Sequence, residues 1–210
     1  MPSQRSRGRP RTFEPEHALE AALQTFRRRG FSGTSLSDLT DATGLNRPSL
    51  YAAFGNKQAL FEAAVDHYWA YVAARCLPAL DATGDLATDL RGFLARFIDV
   101  FADDEPGGCV VACGLPAEVE RVPGLREKLN RMLAAADRAV AARLARAQRE
   151  GALPASAEPD GLASLVVGTM LALSVRSRAG TTRVDLERQA DTLVALIVSA
   201  SQHGTGDRMG

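Results

Sequence analysis

The chain has no local pattern of catalysis. It contains no G-x-S-x-G elbow, H-E-x-x-H pair, P-loop or dinucleotide glycine fingerprint, and its three histidines, His17, His67 and His203, are far apart in sequence. A catalytic triad therefore has no support, and the expectation is a protein that is not an enzyme, with no cofactor and no metal site. Long apolar runs are missing too. The most apolar stretch, Leu162 to Val175, is uncharged for 14 residues, short of the roughly 18 to 20 needed to span a bilayer, so it reads as a buried helix with no membrane partner. The amino terminus is polar and arginine-rich without an apolar segment, so no secretory signal is read and the expected location is cytoplasmic. Cysteine is scarce. Cys76, Cys109 and Cys113 make an odd count, which provides no disulfide framework and in a cytoplasmic chain implies reduced thiols. Net charge is also absent, with 25 basic and 25 acidic residues. Taken alone, that balance argues against nucleic acid.

The balance conceals a separation. Through Leu60 there are nine basic residues, from Arg5 to Lys57, against five acidic ones, an excess of +4 that the remainder cancels with −4. A basic head on an acidic body directs the amino-terminal end toward phosphate. With 210 residues, 46% hydrophobic and 24% charged, the chain has the make-up of a soluble globular protein with room for one large domain or two small ones.

Within the head, residues 35–54 read as two short helices about a tight turn. Leu36, Leu39 and Ala42 recur at helical spacing and are expected to face inward, Gly44 supplies the permissive backbone of a sharp helix end, and Leu45 packs across the turn. Asn46 is an N-cap, Pro48 is tolerated in a first turn, and Leu50 with Phe54 gives the second helix its buried side. The outward set is Asn46, Arg47, Ser49, Tyr51, Ala52 and Ala53, a surface able to enter a major groove. Such a pair of helices also occurs in ordinary helical domains. What favours DNA is the flank: an arm with Arg5, Arg7, Arg9 and Arg11, able to lie in a minor groove or to serve as a solubilising tail, and Lys57 opening the next helix. Arg47 and Ser49 are expected to read base edges, Thr34, Tyr51 and Lys57 to hold phosphates, and Arg9 and Arg11 to follow the groove. The cations Arg27, Arg28 and Arg29 are sufficiently explained by their place in the last turn of the first helix.

The run from Ala21 through Phe61 resembles the DNA-binding domain of the tetracycline-repressor (TetR/AcrR) family. The residues that carry the likeness are Gly30-Phe31, Thr34-Ser35-Leu36, Gly44-Leu45-Asn46-Arg47-Pro48-Ser49-Leu50-Tyr51 and Phe54-Gly55-Asn56-Lys57. Thr40 stands where the family usually has alanine and Pro48 where glycine is common; neither removes a contact residue. The resemblance implies an all-α chain, with an amino-terminal helix-turn-helix domain and a carboxy-terminal helical bundle for ligand binding and dimerisation. Its partners would be a palindromic double-stranded DNA operator, a small-molecule effector and a second copy of the chain, and its role that of a repressor.

The expected division is a flexible basic arm over 1–11, the helix-turn-helix domain over 12–57, an effector and dimerisation domain over 58–204 and a frayed tail over 205–210. Helices are expected over about 15–29, 57–76, 85–101, 109–120, 123–149, 160–178 and 184–202. The carboxylates of Asp103-Asp104-Glu105 read as a solvated loop. A mostly apolar pocket is expected beside the 85–101 helix, with Trp69, Phe93, Phe97, Cys109, Cys113, Met132, Met170 and Arg176 as wall candidates. The last two helices carry more apolar surface than one neighbour covers. Val167, Leu171, Leu193 and Ile197 are the expected dimer contacts, although completion of the intrachain core would also account for them. Cys109 and Cys113, four residues apart, would share a helix face. They leave open a thiol- or metal-responsive regulator, and a helical ligand-binding or thiol-enzyme module is the reading from another class.

Overall fold

The computed structural model describes residues 14–102 and 107–202. The basic arm with Arg9 and Arg11, the acidic loop at 103–106 and the tail from His203 lie outside the described residues. Among the described residues all regular structure is helical. The head comprises α1 (Pro15–Gly33), α2 (Leu36–Thr43) and α3 (Arg47–Phe54), and α4 (Lys57–Cys76) leads out of it into a 3₁₀ turn at Leu77–Asp81. The body continues with α5 (Leu86–Asp99), α6 (Val110–Cys113), a 3₁₀ turn at Leu115–Ala117, α7 (Leu125–Arg149), α8 (Pro159–Arg178) and α9 (Arg183–Gln202).

Capping residues set most of the boundaries. Ser35, Asn46, Asn56 and Asp85 each accept a backbone N–H three residues on with a side-chain oxygen, which satisfies one donor that the first helical turn leaves open. Two boundaries differ from the sequence pattern. The helix expected over 109–120 is only the single turn of α6, because Gly114 and Pro116 interrupt it and the chain tightens into a 3₁₀ turn. The helix expected from Pro123 starts at Leu125, since Gly124 has φ 76° and cannot be helical. Ala42 is exposed; Thr43 turns inward in its place and donates its hydroxyl to the Leu39 carbonyl at 2.7 Å. Thr40 donates to the Ser37 carbonyl at 2.9 Å, so its hydroxyl is satisfied within its own helix.

Apolar packing joins head and body. In the head, Phe26 and Phe61 meet edge-on with centroids 4.9 Å apart, and Phe31 lies 5.1 Å from Phe61. In the body, α5 runs through the centre with Leu90, Phe93, Leu94 and Ile98 buried. One buried ion pair ties α5 to α7. Arg143 Nε donates to Asp89 Oδ2 at 3.0 Å, the Thr83 N–H and hydroxyl donate to Asp89 Oδ1 at 2.9 and 2.8 Å, and Arg143 Nη2 donates to the Gly84 carbonyl. Burial by itself would raise the Asp89 pKa, but the hydrogen bonds from Thr83 and the Arg143 charge outweigh it and hold the carboxyl below its ordinary value.

Two of the four expected dimer contacts turn inward. Val167 and Ile197 are buried inside their own chain, and Leu171 and Leu193 are half-buried, Leu171 in a cavity wall and Leu193 against the core. The faces that α8 and α9 leave open carry Leu165, Val175 and Leu196, at 60%, 53% and 63% exposure, together with exposed Gly168, Ala172 and Ala195. Apolar side chains gathered along one open helix face are a feature of interaction surfaces.

Candidate nucleic-acid interface and interior cavity

A tight turn fixes α3 against α2. The capping box of α2 pairs the Asp38 N–H with Ser35 Oγ and the Ser35 N–H with Asp38 Oδ2, and these Ser35 bonds hold the Asp38 carboxyl below its ordinary pKa. Arg29 adds an ion pair to Asp38 at 2.9 Å. Gly44 (φ 67°) then ends α2 in the left-handed conformation, and Asn46 Oδ1 accepts the Ser49 N–H at 2.9 Å to start α3. Leu39 and Leu50 are buried beneath, so the opposite side of α3 faces solvent: Arg47, Tyr51, Ala52 and Ala53 are exposed, and Ser49 is half-buried. The result is a narrow helix face with one cation, one phenol and two methyl groups.

Two sequence-predicted phosphate contacts are placed differently from Arg47. Thr34 is buried, and its hydroxyl donates to the Gly30 carbonyl at 2.7 Å, so it points inward where an outward hydroxyl was expected. Lys57, at the start of α4, carries its ammonium 4.4 Å above the Phe31 ring. Burial lowers its pKa, and the charges of Glu118 and Asp38 oppose that shift.

The head is gripped by residues 107–118 of the body together with Arg178 at the end of α8. Arg27, 8% exposed, donates from Nη2 to the Gly108 carbonyl at 3.0 Å, and Arg178 Nη2 donates to the Arg27 carbonyl at 3.4 Å. Glu118, 6% exposed, accepts the Ser32 N–H and hydroxyl at 3.3 and 2.9 Å. It sits where α1 kinks at Gly30 (φ 71°), and a Cβ added there would lie 2.9 Å from Glu118 Oε1. The place of Arg27 near the end of the first helix explains its charge without burial, and nothing local marks Arg27 or Glu118 as buried.

Beyond that segment lies a cavity of about 110 Å³. Trp69 of α4, Phe93 and Phe97 of α5, Met170 of α8 and Cys109 line it as expected. Met132 is buried outside the lining, Arg176 is exposed, and Cys113 borders a separate small space under α1, so these three are not cavity residues. Cys76, Val111, Leu133 and Ala136 complete walls that the sequence did not identify. Burial pushes the Cys76 thiol up to about 12 and raises Cys109 as well, so both stay protonated. Cys109 and Cys113 close one helical turn, the Cys113 N–H donating to the Cys109 carbonyl at 2.9 Å, but Cys109 lines the cavity and Cys113 borders the space under α1. Cys109 precedes α6, with its N–H donated to Ser174 Oγ at 2.6 Å, while Cys113 Sγ lies 3.5 Å from the same hydroxyl. Among the described residues no group of three or more His, Cys, Asp or Glu is arranged to hold a metal, and no helix is long and apolar enough to cross a membrane.

Residues 18–64 match the model of bacterial regulatory proteins of the tetR family, and residues 80–196 match the tetracyclin repressor-like C-terminal domain. The chain is 29% identical over 194 residues to the HTH-type transcriptional repressor ComR of Escherichia coli, covering 91% of this chain and 92% of that protein. It is 44% identical over 78 residues to the repressor BdcR of the same organism, 37% of this chain and 38% of that one. Among solved structures, a cysteine-substituted form of the TetR family regulator CifR, complexed with 26-base-pair double-strand operator DNA, superposes with a TM-score of 0.81 at 29% identity. That match covers 89% of this chain and 98% of the other. A TetR regulator from Chloroflexus aurantiacus gives 0.78 at 25% identity, over 87% and 93%.

Proposed function

The chain belongs to the tetR family of bacterial regulatory proteins, and from that premise we propose that it is a cytoplasmic repressor that binds a palindromic operator as a homodimer and releases it when a small molecule enters the body cavity. The carrying observation is the exposed face of α3, whose Arg47, Tyr51, Ala52 and Ala53 stand clear of the packed core. Residues 12–57 are the reading head and residues 58–204 the effector and dimerisation body. Arg47 and Ser49 take base edges, and Tyr51 and Lys57 take phosphate, with Asn46 setting the helix start. The second copy docks on the open faces of α8 and α9 around Leu165, Ala172 and Leu196, since a single helix-turn-helix reaches only one half-site.

Two connections carry the signal. α4 has Lys57 at one end and the cavity residues Trp69 and Cys76 toward the other. The 107–118 segment places Cys109 and Val111 in the cavity wall and, through the Gly108 carbonyl and Glu118, holds α1. An occupant that displaces this wall strains the grip on the head. Linkage then requires operator DNA to weaken effector binding by the same factor by which effector weakens operator binding, typically about 5- to 150-fold. The test is fluorescence anisotropy with DNA from upstream of the chain's own gene, compared with a scrambled duplex at one salt concentration. Equal affinity for the two duplexes overturns the proposal.

A further inference from the structure

We infer that the effector is a neutral, apolar molecule of about single-ring size, an inference that rests on the reading of the body cavity as the effector site. No charged side chain lines the cavity, and its polar surface is almost nil. Its sulfur-bearing walls are neutral as well: Met170 is a thioether, and the Cys76 and Cys109 thiols are kept protonated by burial. Phe93 and Phe97 supply flat faces, and thioether or thiol sulfur beside a ring is a favourable contact.

An engineered apolar protein cavity of roughly 150 Å³ accepts benzene or xenon. At about 110 Å³ the cavity here holds a guest of that order. A carboxylate or ammonium on the guest would be buried with no opposite charge and no strong donor or acceptor to receive it. Charged analogues are therefore rejected by about a hundredfold or more. A longer guest must pass Leu77, which is 40% exposed and belongs both to this cavity and to an outer groove beside Arg143 and Arg146.

The experiment uses the full-length chain without DNA and calorimetric titration with benzene, toluene, benzoate and benzylamine at pH 7. Benzene or toluene binds, and benzoate and benzylamine bind about a hundredfold more weakly or not at all. Ala136→Leu, which extends a wall residue into the void, lowers toluene affinity at least about tenfold; Ala73→Val serves if that variant fails to melt cooperatively. Benzoate or benzylamine binding as tightly as toluene overturns the inference, as does unchanged toluene affinity in the folded filling variant. The same titrations repeated with operator present separate the two readings. Absence of sequence-specific DNA binding counts against the proposed function, while the probe affinities measured without DNA decide the effector class by themselves.

Discussion

Replacing Arg47 and Lys57 in turn separates base reading from phosphate holding. Arg47 is exposed at the first position of α3 and makes no hydrogen bond or ion pair among the described residues, so Arg47→Ala leaves stability within about 0.5 kcal/mol. A bidentate arginine–base contact is worth about 1–3 kcal/mol of discrimination, and a dimer on a palindrome makes it at both half-sites. The operator therefore loses about 2–6 kcal/mol, a factor of at least about thirty, and scrambled DNA loses far less. Lys57 acts differently. Each phosphate contact contributes about 0.9 to the slope of log K against log salt, so Lys57→Ala makes the slope shallower by about 1.8 for the dimer and weakens every sequence alike. That variant also gives up the ammonium–Phe31 contact, about 0.5–1 kcal/mol, which a thermal melt reads separately. Anisotropy titrations across a salt series, with operator and scrambled duplexes, measure both quantities. The assignment is refuted if the two substitutions cost the same factor on both duplexes, or if Lys57→Ala leaves the slope unchanged.

Other outcomes follow from the body. Ala172→Glu or Leu165→Glu places charge on the open α8 face and yields a folded monomer in sedimentation, whereas Val167→Glu buries a charge inside its own chain and lowers the melting temperature; an intact dimer in the first pair moves the interface elsewhere. Glu118→Gln weakens the acceptor for Ser32, and hydrogen exchange at the Ser32 amide speeds up by about tenfold, in line with the worth of a bond to a charged group. Unchanged exchange there removes Glu118 from the grip on α1. Asp89 has its folded pKa below its unfolded value of about 4, so its contribution is complete above that value and is lost as pH falls through the folded one. Asp89→Asn therefore flattens the acid limb of the stability curve, and Arg143→Ala, which strands a buried carboxylate, costs about 3–5 kcal/mol near neutral pH.

Local signals made the head legible. Ser35 with Asp38, Asn46 and Asn56 each fix a helix start through bonds to residues three positions away, and Gly44 ends α2 by its left-handed backbone, all of which can be read from sequence. The body was less so, for three physical reasons. α8 is apolar around most of its circumference, so periodicity could not choose between Val167, which is buried, and Leu165, which is open. The partners that explain Asp89, Arg27 and Glu118 stand 54, 81 and 86 residues away. A cavity, finally, is missing volume. Ala136 borders it because its side chain stops short, and nothing in the residue itself marks that.

The cavity wall has two parts with different obligations, and this bears on how such a receptor diversifies. Cys109 and Val111 belong to the stretch that also holds α1, so, on the proposed reading of the cavity as the effector site, a change there that admits a new guest alters the hold on the head at the same time. Leu133 and Ala136 of α7 and Met170 of α8 touch the same space without contacting the head. On that same proposed reading, ligand preference can drift, or be redesigned, through those three positions at little cost to the ground state of the switch. Retuning through 109 and 111 would require compensating changes at Arg27 or Ser32.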